Sequence, residues 1–315
     1  MAAKKRELSG VLTPMVTPFK NDRVWFQGLI DNVEKMNGTG LAGYFVLGTN
    51  GEYKSLSVEE RFKVLGTVVR HRAKDKVVMA GMGFESTKET IDMTLRAADE
   101  GADMVSLLMP HFFAKKMTPD LLAGYVVDVA DASPVPVLLY NNPSVAAGVT
   151  IRADLIHLVK DHPNVIGIKD SSSETYRQNL EAAKGKMFVL AGTANYFLDL
   201  LRSGGTGGVL SLANVFPDAC AELYTLFTEG KTSEAEELNA SLVALNQEVS
   251  GSFGVAGVKA AMDLCGFCGG FPRKPLLPLN GSQLETLKNS IGKSKWGHLA
   301  ARCPPREGIR VRTEC

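Results

Sequence analysis

Two stretches, Val135-Pro-Val-Leu-Leu-Tyr-Asn-Asn-Pro143 and Val165-Ile-Gly-Ile-Lys-Asp-Ser171, decide the fold. Each is a nearly continuous apolar run that ends in polar residues, as expected of a parallel strand buried on both faces. Six further runs share the pattern: Gly10–Phe19, Gly43–Gly48, Val77–Gly83, Met104–Pro110, Met187–Thr193 and Gly207–Asn214. The eight runs recur at intervals of roughly 30 residues, the length of one strand-plus-helix unit. Helix starts lie between them. Ser57-Val-Glu-Glu60 and Ser86-Thr-Lys-Glu89 fit capping boxes, and Thr118-Pro119 sets a capping hydroxyl before a proline at the first helical position. Right-handed crossovers closing one sheet reach eight units in a (β/α)8 TIM barrel, an α/β fold predicted here for residues 1–230. A doubly wound open sheet is the alternative on pattern alone.

From Lys231 no further strand is evident. Ser233–Val249, Val255–Leu264 and Ser282–Ile291 read as helices, so residues 231–295 form a C-terminal α-helical region. Trp296 to Cys315 carries Pro304-Pro305 and four arginines without apolar periodicity, and reads as a flexible tail.

Composition narrows the function classes. The 315 residues hold 35 Lys+Arg against 34 Asp+Glu, a formal charge of +1, which removes the electrostatic case for nucleic acid. No run approaches the roughly 18 apolar residues of a membrane span, so no membrane association is expected. The start, MAAKKRELSG, lacks the apolar centre of a secretory signal. Five cysteines in so long a chain do not make a disulfide scaffold, and a cytoplasmic location is expected.

A barrel carries its active site at the C-terminal ends of its strands, so the run ends are the candidates. Lys169 closes an apolar run, where burial lowers an ammonium pKa and yields an amine able to attack a ketone. The bland reading is a strand-end lysine that reaches water. Tyr140 ends the preceding run, one strand earlier and at a similar height; a phenol there either shuttles protons or packs the barrel end. Gly48-Thr-Asn-Gly-Glu52 lets backbone N–H groups approach a carboxylate, with the Thr49 hydroxyl beside them, or is a plain turn.

Other motifs carry less. Ser203-Gly-Gly-Thr-Gly-Gly208 precedes a strand, which places it on the opposite face and reads as a helix end followed by close packing. Cys265-Gly-Phe-Cys268 has redox or zinc spacing but stands without a second pair, and the five histidines show no HExxH. No metal site is expected.

Taken together, Gly48-Thr-Asn-Gly-Glu52, Tyr140-Asn-Asn-Pro143 and Gly167-Ile-Lys-Asp-Ser171 resemble the motifs of the dihydrodipicolinate synthase / N-acetylneuraminate lyase family of class I pyruvate aldolases. Order and spacing match from Val11 to about Leu279. The resemblance implies a (β/α)8 barrel with a C-terminal helical region, a homo-oligomer (tetramer or dimer), and a carbon–carbon lyase that needs no cofactor. It implies Lys169 as the Schiff-base lysine, Tyr140 as the proton-transferring phenol, and Thr49 and Asn50 as holders of the substrate carboxylate. Ser171 would contact a substrate oxygen, and Gly192 and Leu210 would line the pyruvate pocket.

Departures from the family pattern refine this. Synthases of the family carry an arginine after the YNxPS motif for the second substrate's carboxylate; here Val145 follows Ser144. Val58 and Arg61 stand where histidines of the feedback-lysine site are expected. Pro110-His-Phe-Phe113 lacks the family's second tyrosine, so His111 or water would have to complete the proton relay. Phe253-Gly-Val-Ala-Gly-Val-Lys259 and Gly269-Gly-Phe-Pro-Arg-Lys-Pro275 look closest to 4-hydroxy-2-oxoglutarate aldolases. The implied reaction is cleavage or formation of a 2-oxo acid with pyruvate or glyoxylate as product, the substrate being 4-hydroxy-2-oxoglutarate or a 2-keto-3-deoxy sugar acid. The alternatives are 4-hydroxy-tetrahydrodipicolinate synthase and a non-catalytic 2-oxo acid binder.

Overall fold

The computed structural model describes residues 8–301. Eight parallel strands close a barrel: β1 (Gly10–Pro14), β2 (Gly43–Val46), β3 (Val77–Gly81), β4 (Met104–Leu108), β5 (Val137–Asn141), β6 (Val165–Asp170), β7 (Phe188–Ala191) and β8 (Gly207–Val209). Each lies inside one of the eight apolar runs. β1 pairs with β2 on one side and β8 on the other, which closes the sheet and removes the open-sheet alternative. Burial explains the composition of the runs, since most strand residues touch other side chains on both faces.

The helices follow in alternation: α1 (Phe26–Asn37), α2 (Val58–His71), α3 (Thr87–Asp99), α4 (Pro119–Ala132), α5 (Ala153–Val159), α6 (Tyr176–Ala183), α7 (Phe197–Arg202) and α8 (Pro217–Thr228). α2 shows why such segments are helical. Its buried residues Phe62, Leu65 and Val68 recur every third position and face the barrel. Its start is tied reciprocally by Ser57 and Glu60, an arrangement that contributes about 1 kcal/mol. Ser86 and Thr118 cap α3 and α4 through their hydroxyls. Gly204, at φ 101°, ends α7 in a conformation that favours glycine, and Gly205 leaves no room for a Cβ against Leu200.

The C-terminal region comprises α9 (Thr232–Asn246), α10 (Ser252–Leu264), α11 (Gly281–Lys293) and α12 (Gly297–Ala301). A π-helical turn over Gln247–Gly251 joins α9 to α10, and Gly254 breaks the regular backbone at φ 55°. Such interruptions are frequent at functional sites, and this one faces the barrel mouth. The end of the chain differs from expectation at its first residues. Trp296 packs its ring 5.3 Å from that of Phe216, and α12 continues to Ala301, because an indole beside an apolar helix end is more stable buried than free. The rest of the expected tail lies outside the described residues. Among the described residues no helix is long and apolar enough to cross a membrane.

Candidate active site

Parallel pairing of β5 with β6 sets Tyr140 directly opposite Lys169 and Asn141 opposite Asp170. A register shift between Val137 and Leu138 brings about this alignment. Lys169 and Tyr140 therefore point the same way into the barrel mouth, 4 % exposed each. The Lys169 Nζ lies 4.0 Å from the Tyr140 ring centroid and 4.5 Å from that of Phe45. Burial drives the Lys169 amine below its ordinary pKa, opposed by the Tyr140 phenol beside it. Burial pushes the Tyr140 phenol up, but the Lys169 charge and hydrogen bonds from its neighbours outweigh that and bring it down.

Thr49 reaches the pair from the loop after β2, its hydroxyl 3.1 Å from that of Tyr140. The Asn142 amide donates to the same phenol at 3.0 Å. The backbone that delivers Thr49 is strained, with Leu47 at φ 63° although leucine disfavours the left-handed region. Gly48 then passes against the Phe45 ring, where a Cβ would come within 2.5 Å. Asn50 donates through its amide to the Ser211 hydroxyl at 2.8 Å.

A cavity of ≈ 640 Å³ opens above Lys169. Thr49, Asn50, Tyr140, Lys169, Ser171 and Gly192 all line it, so six of the seven residues read from the sequence converge. Gly192 allows this closeness, since a Cβ would meet the Ser171 Oγ at 1.9 Å. Leu210 is the exception. It is fully buried outside the cavity, and the next residue, Ser211, lines it instead. Leu210 is extended (φ −108°, ψ 121°), so successive side chains take opposite sides. His111 lines the mouth, but its Nδ1 lies 2.9 Å from the Met109 carbonyl, and its backbone N–H donates to Glu85. Phe112 and Phe113 turn outward, 78 % and 67 % exposed.

Three supports were not read from the sequence. Asp170 points away from the cavity, its carboxylate accepting from Asn141 (2.9 Å), Asn179 (2.7 Å) and the Ser172 N–H (2.9 Å). Its carbonyl accepts from the Gly192 N–H and the Tyr196 hydroxyl. Lys259 of α10, fully buried, pairs with Glu52 and donates at 2.8 Å to the carbonyls of Thr17 and Phe271. Burial pushes its ammonium down to about 8, while Glu52 opposes the fall. Arg273 donates from its backbone to Glu52 and makes a bidentate pair with Glu60. The helical region thus clamps the loop that carries Thr49 and Asn50. A lysine on the apolar stripe of Val258 to Met262 was the available signal for Lys259.

A closed (β/α)8 barrel that buries a lysine against a phenol at the strand ends is an arrangement suited to imine chemistry on a ketone. The Dihydrodipicolinate synthetase family model matches residues 7–294. The chain belongs to this family and is a carbon–carbon lyase. It is 34 % identical over 288 residues to a 4-hydroxy-tetrahydrodipicolinate synthase of Methanothrix thermoacetophila, covering 90 % of this chain and 96 % of that one. It is 32 % identical over 301 residues to a probable mitochondrial 4-hydroxy-2-oxoglutarate aldolase of Emericella nidulans, covering 93 % and 96 %. Among solved structures it is similar to a dihydrodipicolinate synthase of Acinetobacter baumannii complexed with pyruvate. There the TM-score is 0.84 at 29 % identity, covering 93 % of this chain and 99 % of that one.

Proposed function

We propose that the protein reversibly cleaves a 4-hydroxy-2-oxo acid, either 4-hydroxy-2-oxoglutarate or a 2-keto-3-deoxy sugar acid, through an imine on Lys169. The observation that carries this is the desolvated Lys169 amine held against Tyr140 beneath the loop of Thr49 and Asn50. The free amine attacks the C2 ketone, Tyr140 gives its proton to the departing hydroxyl of the carbinolamine, and water leaves a protonated imine and a Tyr140 phenolate. Tyr140 takes the C4 hydroxyl proton, the C3–C4 bond breaks, and its electrons pass into the iminium to give an enamine. The aldehyde departs, glyoxylate in the case of 4-hydroxy-2-oxoglutarate. The enamine gains a proton at C3, and water hydrolyses the imine to pyruvate and the free amine. Thr49 and the N–H groups of its loop hold the carboxylate, with Ser171 and Gly192 forming the adjoining wall.

The outer mouth favours an aldolase over a synthase. Val145 lines it where a guanidinium would grip a second carboxylate, and among the described lining residues there is no arginine. A missing charge-assisted contact costs about 1.5–3 kcal/mol per hydrogen bond. The relative named as a 4-hydroxy-tetrahydrodipicolinate synthase supports the second reading, and one assay separates the two. Pyruvate release is expected from 4-hydroxy-2-oxo acids or 2-keto-3-deoxy acids, with poor condensation of pyruvate and aspartate semialdehyde; efficient condensation would reverse the assignment. Borohydride with pyruvate is expected to leave one adduct per chain, on Lys169, and an adduct on another lysine would sink the mechanism. The same reading makes the protein a cytoplasmic homo-oligomer, for which the exposed edge-on pair Phe112 and Phe113 supplies an apolar surface. Sedimentation showing only monomer would remove that part.

A further inference from the structure

Two asparagines follow Tyr140 at the end of β5, and they face opposite ways. The Asn141 amide turns away from the cavity and donates to Asp170 (2.9 Å) and Thr175 (2.8 Å). Asn142, one residue on, returns to the side of Tyr140 and lines the cavity. The following Pro143 disfavours a helical conformation at Asn142, whose backbone stays open at φ −150° and ψ 82°. Strand alternation and one proline thus deliver the amide to the phenol.

The amide is also held in one orientation. The Ser144 hydroxyl donates to its Oδ1 at 2.7 Å, which turns its Nδ2 to the Tyr140 oxygen at 3.0 Å. An amide nitrogen donates and cannot accept, so on this side the phenol oxygen serves only as an acceptor. The Thr49 hydroxyl at 3.1 Å can act either way. The titratable groups interacting with Tyr140 are Lys169 from β6, Tyr53 from the loop after β2 and Tyr196 from the turn after β7. Burial raises the Tyr140 phenol, but the Lys169 charge and the Thr49 and Asn142 hydrogen bonds bring it below its ordinary value. Burial carries Tyr44, Tyr53, Tyr125, Tyr176 and Tyr196 upward instead.

We propose that Asn142 is a positioning residue for the proton chemistry of Tyr140, its amide, turned by Ser144, donating to the phenolate that Tyr140 becomes when it gives up its proton. This deepens the imine reading above and rests on it for the chemistry. There Tyr140 yields a proton to the departing hydroxyl of the carbinolamine and then takes one from the C4 hydroxyl. Asn142 acts through Tyr140 and not on the substrate. It holds the oxygen on which charge appears, as a fixed donor aimed at a developing anion does. It carries no proton itself, because its nitrogen cannot accept one in exchange.

Ionisation of Tyr140 can be read directly from near-ultraviolet tyrosinate absorbance, as the titration step missing from Tyr140→Phe. Asn142→Leu keeps the shape of the amide and removes its donor. The Tyr140 step is expected about 1–2 pH units higher in this variant, as for the loss of one hydrogen bond to a charged oxygen. Asn142→Asp keeps the acceptor for Ser144 and sets a negative charge beside the phenol, so the step should rise there as well. It has the size of the native side chain and decides the matter if Asn142→Leu does not fold. Borohydride trapping of pyruvate at pH 7 should slow about tenfold in both variants, because carbinolamine dehydration draws on the Tyr140 proton. A side chain that merely supports the turn would leave the tyrosinate step in place. A step that stays or falls in either folded variant, or trapping at the wild-type rate, overturns the proposal. The titration needs no substrate, so it decides the role of Asn142 even if the wild type traps no pyruvate, an outcome that sinks the imine reading separately.

Discussion

Replacing Lys259 with methionine keeps the volume of the side chain and removes its charge and its three partners. Glu52 is then left as a buried carboxylate, its side chain 2 % exposed, with only the Arg273 N–H still donating to it. Removing one member of a buried pair costs about 3–5 kcal/mol. A ceiling follows from titration, because Glu52 can take a proton instead of staying charged. At pH 7 protonating a glutamate of ordinary pKa 4.3 costs about 3.7 kcal/mol, from 2.7 units at 1.36 kcal/mol each. The carbonyls of Thr17 and Phe271 lose their donor as well, at about 1 kcal/mol apiece. The expected loss is about 5–6 kcal/mol at pH 7, large against a typical total stability. Its pH dependence identifies the cause. Burial of an unpartnered carboxylate favours its neutral form, so the variant's native state binds the extra proton and gains stability as pH falls. At pH 5 the charge penalty shrinks to about 1 kcal/mol, because only 0.7 units remain. Urea unfolding of wild type and variant at both pH values is the assay, with pyruvate trapping beside it to show whether the Thr49 loop has loosened. A loss below about 1 kcal/mol at pH 7, or one that fails to narrow at pH 5, would refute a clamp built on this pair.

Gly192→Ala should weaken pyruvate trapping strongly, since its Cβ meets the Ser171 Oγ at 1.9 Å and the Asp170 carbonyl at 2.7 Å; an unaffected half-saturation would show the wall can yield. Asp170→Asn should destabilise by about 2 kcal/mol in urea unfolding, because Asn141 and Asn179 donate to different carboxylate oxygens and an amide replaces one of these acceptors with a donor. Trapping by wild type should rise with pH as Lys169 loses its proton and level off below the ordinary lysine value of about 10.4; a rate still climbing there contradicts its lowered pKa. Ending the chain after Lys295 should lower stability by about 1 kcal/mol, the partial burial of one large side chain, since Trp296 packs on Phe216. An unchanged melt would mean the indole contributes nothing.

Residue order alone determined the barrel and the centre of its site. Buried parallel strands must be apolar along their length, so eight runs at even spacing announce eight strands, and a lysine or tyrosine at a run end must stand at the mouth. Thr49, Tyr140 and Lys169 were legible for that reason, as was the capped start of α2. Leu210 was misread as a pocket residue because the alternation of side chains past a strand end depends on local backbone angles that composition does not encode. Trp296 was missed because its partner Phe216 lies 80 residues earlier and its own neighbours carry no apolar period. The clamp of Lys259, Glu52 and Arg273 was decided only by tertiary structure. Pairing and desolvation are properties of groups brought together across the fold, and no local pattern of residues specifies them.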